Sequence, residues 1–271
     1  MKVDKNKKYY KVVDENGHYG VKYKLGLNID PLPFNDDESD ECVEGGIYFS
    51  DLGNIFSYFY YGDYVAEISI PADAKVCTND NWDKARADKI VVNKMMSKED
   101  FISWLIDNNQ FDWKEYSGYV AEFCPEKLDP ERYNWKAWSR YVAKYCPDKL
   151  FPEKYNWKAW SHYVAEYCPD KLDPEKFNWE EHSWAVAKYC PDKLDPERFN
   201  WEEDSWAIAM YCPDKLDPER FNWKQDSRYV AKYCPDKIDP EKFNWDKYSW
   251  AVAKYCPKKL KLRPKKQRRR Q

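Results

Sequence analysis

The chain has 271 residues, of which 18% are aromatic and 34% charged, and its formal net charge is −3. This composition is typical of a folded protein, and the length allows two modules. No run of 18 apolar residues occurs, which excludes a membrane-spanning helix. The polar N-terminus lacks the apolar core of a secretory signal, so we expect an intracellular protein with no membrane partner.

Residues 1–95 have the pattern of an α+β domain. Strand-like stretches at 9–13 and 18–23 flank Asn16-Gly17, a dipeptide typical of a hairpin turn. The remaining predicted elements are an acidic loop at 28–44, a short strand at 47–49, a helix from Asp51 to about Tyr60, and strands at 64–70 and 89–92.

Several motifs within residues 8–95 follow one another in a recognisable order. They are His18-Tyr-Gly, Gly26-Leu-Asn-Ile-Asp, Gly45-Gly-Ile-Tyr-Phe-Ser and Tyr64-Val-Ala-Glu-Ile-Ser-Ile-Pro. With these motifs the region resembles the N-terminal domain of ankyrin-repeat proteins of giant viruses of the mimivirus kind. The resemblance implies a viral or virus-derived protein with a recognition array. Its expected location is the cytoplasm or nucleus of the host cell, or the virion, and it is not secreted.

The same region is also similar to a family of enzymes. Gly46-Ile-Tyr-Phe-Ser resembles the tyrosine-bearing segment of poly-ADP-ribose polymerases, and His18-Tyr-Gly resembles their histidine segment. In that family the His and Tyr hold NAD, and a later Glu polarises the ribose hydroxyl. The resemblance would give these roles to His18, Tyr48 and Glu67. Tyr19 departs from the family by interrupting its His-Gly pair. The alternative is structural, with His18 in a strand, Tyr48 in the core and Glu67 facing solvent.

Residues 96–110 predict a single helix. Ser97-Lys-Glu-Asp is a capping signature ahead of Phe101, Trp104 and Leu105. The helix abuts the region that follows, so we expect it to cover the exposed apolar end of that region, as terminal caps of solenoids do.

A 22-residue repeat occupies residues 111–257 without insertion or deletion. A fixed period of this size predicts a solenoid in which each unit buries its apolar face against the next. The repeat is defined by seven reference tryptophans and seven cysteines, Trp113, Trp135, Trp157, Trp179, Trp201, Trp223 and Trp245, and Cys124, Cys146, Cys168, Cys190, Cys212, Cys234 and Cys256.

One unit, residues 177–198, illustrates the predicted structure. Asn178 is a good N-cap, and Glu181 stands three residues after it, as a capping box requires. The helix runs from Trp179 to about Tyr189, because a proline follows shortly. A second, very short helix is predicted to begin at Asp195, which precedes a proline. At 100° per residue, the reference Trp, the Ser four residues later and the Cys eleven residues later share one buried stripe.

The position five residues after the reference Trp lies on the outward side of the helix. Two explanations stay open for it. The position packs between the outer surfaces of adjacent helices, or it faces a ligand, since Trp and Arg are favoured at binding hot spots. We call this set the outer column, and its members are Arg140, His162, Trp184, Trp206, Arg228 and Trp250.

The cysteines do not indicate disulfides or a metal site. Neighbouring helices about 8–10 Å apart exceed the Cα distance that a disulfide allows. One Cys per repeat, with three histidines in the whole chain, gives no zinc spacing. We expect buried, reduced thiols and no metal.

The C-terminal stretch 258–271 carries nine basic residues and no acid. Subtracting these nine charges from −3 leaves −12 for the rest of the chain. We expect a disordered arm that binds nucleic acid, serves as a nuclear import signal, or folds back onto the acidic array. The residues that would do so are Lys265, Lys266, Arg268, Arg269 and Arg270.

The sequence thus predicts an α+β N-terminal domain (1–95), a capping helix (96–110), an all-α solenoid of seven 22-residue helical repeats (111–257) and a disordered basic tail (258–271). We expect a non-catalytic scaffold that binds a protein partner through the solenoid surface, without a cofactor. One alternative is an ADP-ribosyltransferase that uses NAD and recognises its substrate with the solenoid. The other is nucleic-acid binding through the tail.

Overall fold

A computed structural model describes residues 2–14, 17 and 21–264. The chain forms two compact units, which divide between Tyr133 and Asn134. The first unit therefore contains the first repeat as well as the residues before it. The last strand ends at Ser97, and the predicted domain boundary at residue 95 stays a prediction.

Seven antiparallel strands form one sheet in the described part of the first unit. Their spatial order is β2-β7-β4-β1-β3-β6-β5. The strands are β1 (Lys8–Val13), β2 (Gly26–Ile29), β3 (Ile47–Ser50), β4 (Tyr64–Ser69), β5 (Val76–Cys77), β6 (Lys84–Ala87) and β7 (Lys89–Ser97). The predicted α+β class of this region is confirmed.

The structure describes only part of the predicted hairpin at 9–23, because residues 15, 16 and 18–20 lie outside the described residues. Gly17 has a φ of 83° and donates its N–H to the carbonyl of Asp14 at 3.1 Å. However, β1 pairs along its whole length with β4 and, at Tyr10, with β3. The strands that pair with β1 in the described ranges come from farther along the chain, and a pairing of β1 with residues 18–23 stays a prediction.

Both faces of the sheet are buried, but by different partners. One face carries an apolar cluster that includes Tyr9, Phe49 and Ile68. On the other face, Tyr10 packs against Phe101 of α1 (Lys98–Asp107), with ring centroids 5.4 Å apart. The helix predicted from Asp51 is instead a 3₁₀ helix at Ile55–Tyr61 whose buried side chains face α1.

The sheet continues into the first repeat without a flexible linker. Ser97 accepts a hydrogen bond from the N–H of Asp100 at 3.0 Å, as the capping signature predicted. The first repeat helix, α2 (Trp113–Phe123), contacts α1 and also packs on the 3₁₀ helix. There Tyr116 stacks on Phe56 at 4.1 Å and donates its hydroxyl to the carbonyl of Gly53 at 2.8 Å.

The second unit contains six repeat helices of eleven residues each. They are α3 (Trp135–Tyr145), α4 (Trp157–Tyr167), α5 (Trp179–Tyr189), α6 (Trp201–Tyr211), α7 (Trp223–Tyr233) and α8 (Trp245–Tyr255). Every one begins at its reference Trp, ends before its Cys, and contacts the next helix along the chain. The predicted helical repeats are confirmed.

The connection between repeat helices differs from the prediction. After α5, a 3₁₀ helix at Pro191–Lys193 comes directly behind the Cys. The second helix predicted from Asp195 is a single turn, in which the Asp195 carbonyl accepts from the N–H groups of Arg198 and Phe199 at 3.2 and 3.0 Å. Proline at the first position suits a 3₁₀ turn because its missing N–H has no partner there.

Most reference tryptophans donate the indole N–H to a proline carbonyl of the preceding unit, whereas the buried indole N–H of Trp113 has no hydrogen-bond partner among the described residues. The indole N–H of Trp179 donates to the carbonyl of Pro174 at 2.9 Å, and the same bond recurs at Trp157, Trp201, Trp223 and Trp245. The indole is therefore buried with its only donor satisfied, which is the condition for placing Trp in a core.

Candidate interaction surface

A constant set of hydrogen bonds joins consecutive repeats within the second unit. The N–H of Asn178 donates to the hydroxyl of Ser161 at 3.2 Å, and its side-chain amide donates to the carbonyl of Lys158 at 2.8 Å. The same two bonds recur at Asn156, Asn200, Asn222 and Asn244. The buried serine column thus fixes the position of each following helix.

This arrangement also changes the predicted capping box. The side chain of Asn178 accepts from the N–H of Glu181 at 3.3 Å, as an N-cap should. In a capping box, the Glu181 carboxylate would in turn accept from the backbone N–H of Asn178. That N–H is already bonded to Ser161, and Glu181 accepts from the Asn178 side chain at 3.1 Å instead.

The position three residues after the reference Trp lies between helices and carries buried polar groups. The carboxylate of Asp204 accepts from the Ser183 hydroxyl at 2.7 Å and from the N–H of Trp184 at 3.0 Å. Asp226 makes the equivalent bonds one repeat later. Burial raises the pKa of Asp204 above its usual range, and these hydrogen bonds oppose the rise. These residues serve the stacking of helices and are not available to a ligand.

A row of ion pairs lines the exposed connections. Arg198 pairs with Glu175 of the preceding repeat and, at 3.3 Å, with Asp195 of its own. Comparable pairs join Lys176 to Glu153, Arg220 to Glu197, Lys242 to Glu219 and Lys259 to Asp236. Since exposed pairs contribute little to stability, their main effect here is to neutralise this side of the array.

The outer column combines packing with exposure. The guanidinium of Arg140 lies 4.6 Å from the ring centroid of Trp160 in the next helix. Arg228 lies over Tyr229 and Tyr248 at 4.8 and 5.7 Å. All six side chains nevertheless keep contact with solvent, and Trp250 is 52% exposed. Packing between adjacent helices therefore accounts for part of this column, and a ligand-facing role stays a prediction.

His162 occupies the outer column with a histidine neighbour. Its ring centroid lies 4.4 Å from that of His182 in the next helix and 4.6 Å from that of Tyr163. Burial, followed by the charge of His182, lowers the pKa of His162 to about 4. The ring is therefore neutral at physiological pH and adds to the aromatic character of the column.

A second row of side chains, which we call the tyrosine row, lies beside the outer column. The aromatic pairs Trp184–Tyr189 and Trp206–Tyr211, at 6.4 and 6.3 Å, connect the two sets. Lysines lie over the tyrosine rings, as Lys188 does at 4.5 Å from the ring centroid of Tyr189. The row consists of Tyr145, Tyr167, Tyr189, Tyr211, Tyr233 and Tyr255, and all but Tyr189 are exposed. The tyrosine row is not among the residues predicted from the sequence, although this position is aromatic in every repeat.

The residues proposed for NAD binding lie on neighbouring parts of the sheet, so far as the structure describes them. Tyr48 is on β3, where its hydroxyl donates to the carbonyl of Val43 at 2.6 Å and accepts from the N–H of Val43 at 2.8 Å. Glu67 is on β4 and pairs with Lys8 at 2.8 Å. His18 lies outside the described residues. A role of these three residues in NAD binding stays a prediction.

Arg86, which the sequence analysis did not single out, is a key residue of the first unit. Its side chain is fully buried on β6, below the acidic loop at 28–44. The guanidinium donates to the backbone carbonyls of Asn35, Asp37 and Asp40 at 2.9, 2.5 and 3.0 Å. Arg86 thereby holds the loop by its backbone. Only a guanidinium, with five donors in a fixed plane, can serve three acceptors in this way.

All nine cysteines are free thiols in the structure. Burial raises the pKa of Cys146 to about 12 and that of Cys190 to about 11. Cys42, outside the repeats, is exposed. Within the described ranges, no group of three His, Cys, Asp or Glu side chains could hold a metal ion.

The described chain ends in a short basic segment after the last repeat helix. Arg263 approaches Asp246 at 3.7 Å, at the end of a 3₁₀ helix spanning Pro257–Leu262. The tail residues Lys265, Lys266, Arg268, Arg269 and Arg270 lie outside the described residues. Across the part of the chain that the structure covers, no helix has the length and apolarity to cross a bilayer.

Comparison with known proteins places this chain near proteins of one giant virus. Two relatives from Acanthamoeba polyphaga mimivirus, each named as an ankyrin repeat protein, match it. One is 29% identical over 128 residues, which is 42% of this chain and 64% of the relative. The other is 48% identical over 56 residues, 21% of this chain and 17% of the relative. An uncharacterized protein of the same virus is 40% identical over 68 residues, 25% of this chain and 49% of the relative.

The predicted resemblance to ankyrin-repeat proteins of giant viruses is therefore confirmed. The chain spans less than two thirds of the length of each of these relatives. The resemblance to ADP-ribosyltransferases is not shown by the comparisons. No family model matches the chain, and no solved structure matches it.

Proposed function

We propose that this protein is a non-catalytic scaffold that binds a protein partner through the outer column and the tyrosine row of α3–α8. The observation that supports the proposal is the combination of exposure and chemistry on this one helix face. Trp, Tyr and Arg side chains are enriched at the energetic centres of protein interfaces. Similarity to viral proteins named for ankyrin repeats agrees with an interaction role.

The charge on this face indicates the kind of partner. The arginines of the outer column and the lysines beside the tyrosine row place positive charge over aromatic rings. On the connections elsewhere on the array, the charges are neutralised by ion pairs. These cations are Arg140, Lys144, Lys188, Arg228, Lys232 and Lys254. An acidic polypeptide segment with aromatic or aliphatic side chains fits this chemistry.

Substitutions on the face test the proposal. In the full chain used as bait, Trp184→Ser combined with Trp206→Ser should remove the partners that the unchanged protein captures. Arg198→Ser, in the ion-pair row, is the matched control and should keep them. The captured complexes should also weaken as salt is raised, because charge attraction contributes to binding. Retention of every partner by the double variant would exclude the helix face as the binding site.

A further inference from the structure

Two of the three histidines of the chain, His162 and His182, meet where α4 packs against α5. Their ring centroids lie 4.4 Å apart, and both rings are half-buried. The Nδ1 atom of His182 lies 2.9 Å from the hydroxyl oxygen of Ser161, which also accepts from the N–H of Asn178 at 3.2 Å. The histidine pair is therefore part of the contacts that join these two helices.

The protonation state of His182 decides how its bond to the serine is made. At the next junction along the array, the carboxylate of Asp204 accepts from the hydroxyl of Ser183 at 2.7 Å. In the same way, the hydroxyl of Ser161 donates to the Nδ1 atom of a neutral His182. A protonated imidazole carries N–H on both ring nitrogens. Nδ1 would then no longer accept, and the serine hydroxyl would have to turn away from it.

His162 lies where a positive charge has little support. Its Nδ1 atom is buried and has no hydrogen-bond partner among the described residues. Burial, followed by the charge of His182, lowers the pKa of His162 to about 4, and burial also lowers the pKa of His182. Two imidazolium rings in this half-buried contact would repel each other. The contact between the helices thus favours the neutral form of both rings.

The other titratable groups near the pair come from three helices. On α5, Glu181 opposes the effect of burial on the histidine beside it. On α4, Tyr163 contacts the histidine of its own helix at 4.6 Å, and Glu166 lies one turn farther on, where its charge acts on Lys188. On α3, Arg140 lies over an indole whose ring centroid is 6.2 Å from that histidine. Burial still sets the direction in which both histidine pKa values move.

We propose that the α4–α5 junction is an acid-sensitive switch, in which protonation of the histidine pair weakens this contact and leaves the next two junctions closed. An opened junction returns the rings to water, where the pKa of His is about 6.5. The open state then binds more protons than the closed state, so the contact weakens as pH falls from about 6.5 to about 4. The next two junctions respond in the opposite direction, because burial raises the pKa of Asp204 and Asp226.

This switch would divide the array at one place, between α4 and α5. The proposal concerns the contact between two helices and does not depend on the function proposed for the outer column and the tyrosine row.

NMR titration of the histidine rings in the full chain tests the coupling. The signal of His162, assigned by its loss in His162→Gln, should titrate at least about one pH unit below the ordinary value of about 6.5. In His182→Asp a carboxylate replaces the second imidazole, so the pKa of His162 should rise to at least about 5. A pKa near 6.5 for both histidines of the unchanged protein, or a pKa of His162 that stays the same in His182→Asp, would overturn the proposal.

Hydrogen exchange with mass spectrometry locates the opening. Between about pH 7 and about pH 4.5, the protection factors of α4 and α5 should fall at least about tenfold relative to those of α6 and α7, after correction for the intrinsic pH dependence of exchange. His182→Asp gives this junction the residue found at the next two and should remove the fall. Asp170→Asn changes an exposed acid between α4 and α5 and is the matched control, which should keep the fall. No fall in the unchanged protein, an equal fall along α3–α8, or a fall that survives in His182→Asp would overturn the proposal.

Discussion

The helices of the second unit and the sheet of the first unit support their loops in different ways. In the second unit, the bonds made by each asparagine and serine recur in every repeat. In the first unit, the acidic loop at 28–44 depends on the donors of Arg86. The stability of a repeat array is approximately a sum over units and interfaces. A substitution should therefore weaken one interface of the array, whereas in the sheet it removes several bonds together.

The largest expected effect separates the two kinds of support. Arg86→Met removes three hydrogen bonds to backbone carbonyls, and we expect a loss of at least about 3 kcal/mol in the free energy of unfolding of the first unit. Arg198→Met, which removes the exposed ion pairs of Arg198 with Glu175 and Asp195, should cost less than about 1 kcal/mol. Denaturant unfolding measures the free-energy loss of both variants, and hydrogen exchange at residues 35–45 reports on the loop that Arg86 holds. Similar losses for the two variants would contradict the contrast.

A substitution of intermediate effect tests the repeated bonds. Ser183→Ala leaves the N–H of Asn200 and the carboxylate of Asp204 without their shared hydroxyl, which should cost about 1–3 kcal/mol. A double-mutant cycle with Asp204→Ala should show coupling of at least about 0.5 kcal/mol. If the free-energy losses of the two single variants simply add in the double variant, the serine does not join the two helices through Asp204.

Thiol reactivity offers a third comparison between the regions. The exposed Cys42 should react with a disulfide reagent at least about tenfold faster than the repeat cysteines, whose thiol pKa values are raised by burial. Mass spectrometry of partially modified native protein identifies the site. Cys42→Ser should remove the fast phase and leave the slow phase unchanged. A fast phase that survives in this variant would show that a repeat cysteine is accessible.

The smallest expected effect concerns pH. The pKa of Asp204 is raised in the folded chain because the carboxyl group is buried. Because the pKa of Asp204 is higher in the folded chain, its protonated carboxyl group contributes to the free energy of unfolding at acid pH. This contribution is lost as pH rises through the folded pKa. Asp204→Asn removes this loss, so the Tm of the variant relative to the unchanged protein should increase between pH 4 and pH 7. The exposed Asp192→Asn is the control and should show no such trend; a trend of the opposite sign would contradict the assignment.

The array was predictable because its signals are local and repeated. The reference Trp, the N-cap Asn and the proline after each Cys define where each helix begins and ends. The 3₁₀ helix after the Cys was missed, since a three-residue turn has no periodicity to detect. The capping box failed for a different reason, because the N–H of Asn178 bonds to a serine of another helix, which a local pattern cannot include.

The sheet was predictable only in its class. Runs of β-branched and aromatic residues predicted where strands occur. The pairing of β1 with β3 and β4 could not be predicted, because it joins residues far apart in sequence. Arg86 illustrates the same limit, since a single arginine within Lys84–Ala87 does not show that it will be buried below a loop fifty residues earlier. The tyrosine row, in contrast, could have been found by reading one more column of the repeat.

The bond from an indole to the proline carbonyl five residues earlier joins a unit to the one before it, and the asparagine bonds do the same. Copying any 22-residue segment in tandem therefore supplies a complete set of both. The array can lengthen or shorten by gene duplication or deletion of whole units, with the new copy entering at full stability. Diversity can then accumulate at the outer column while the scaffold stays intact.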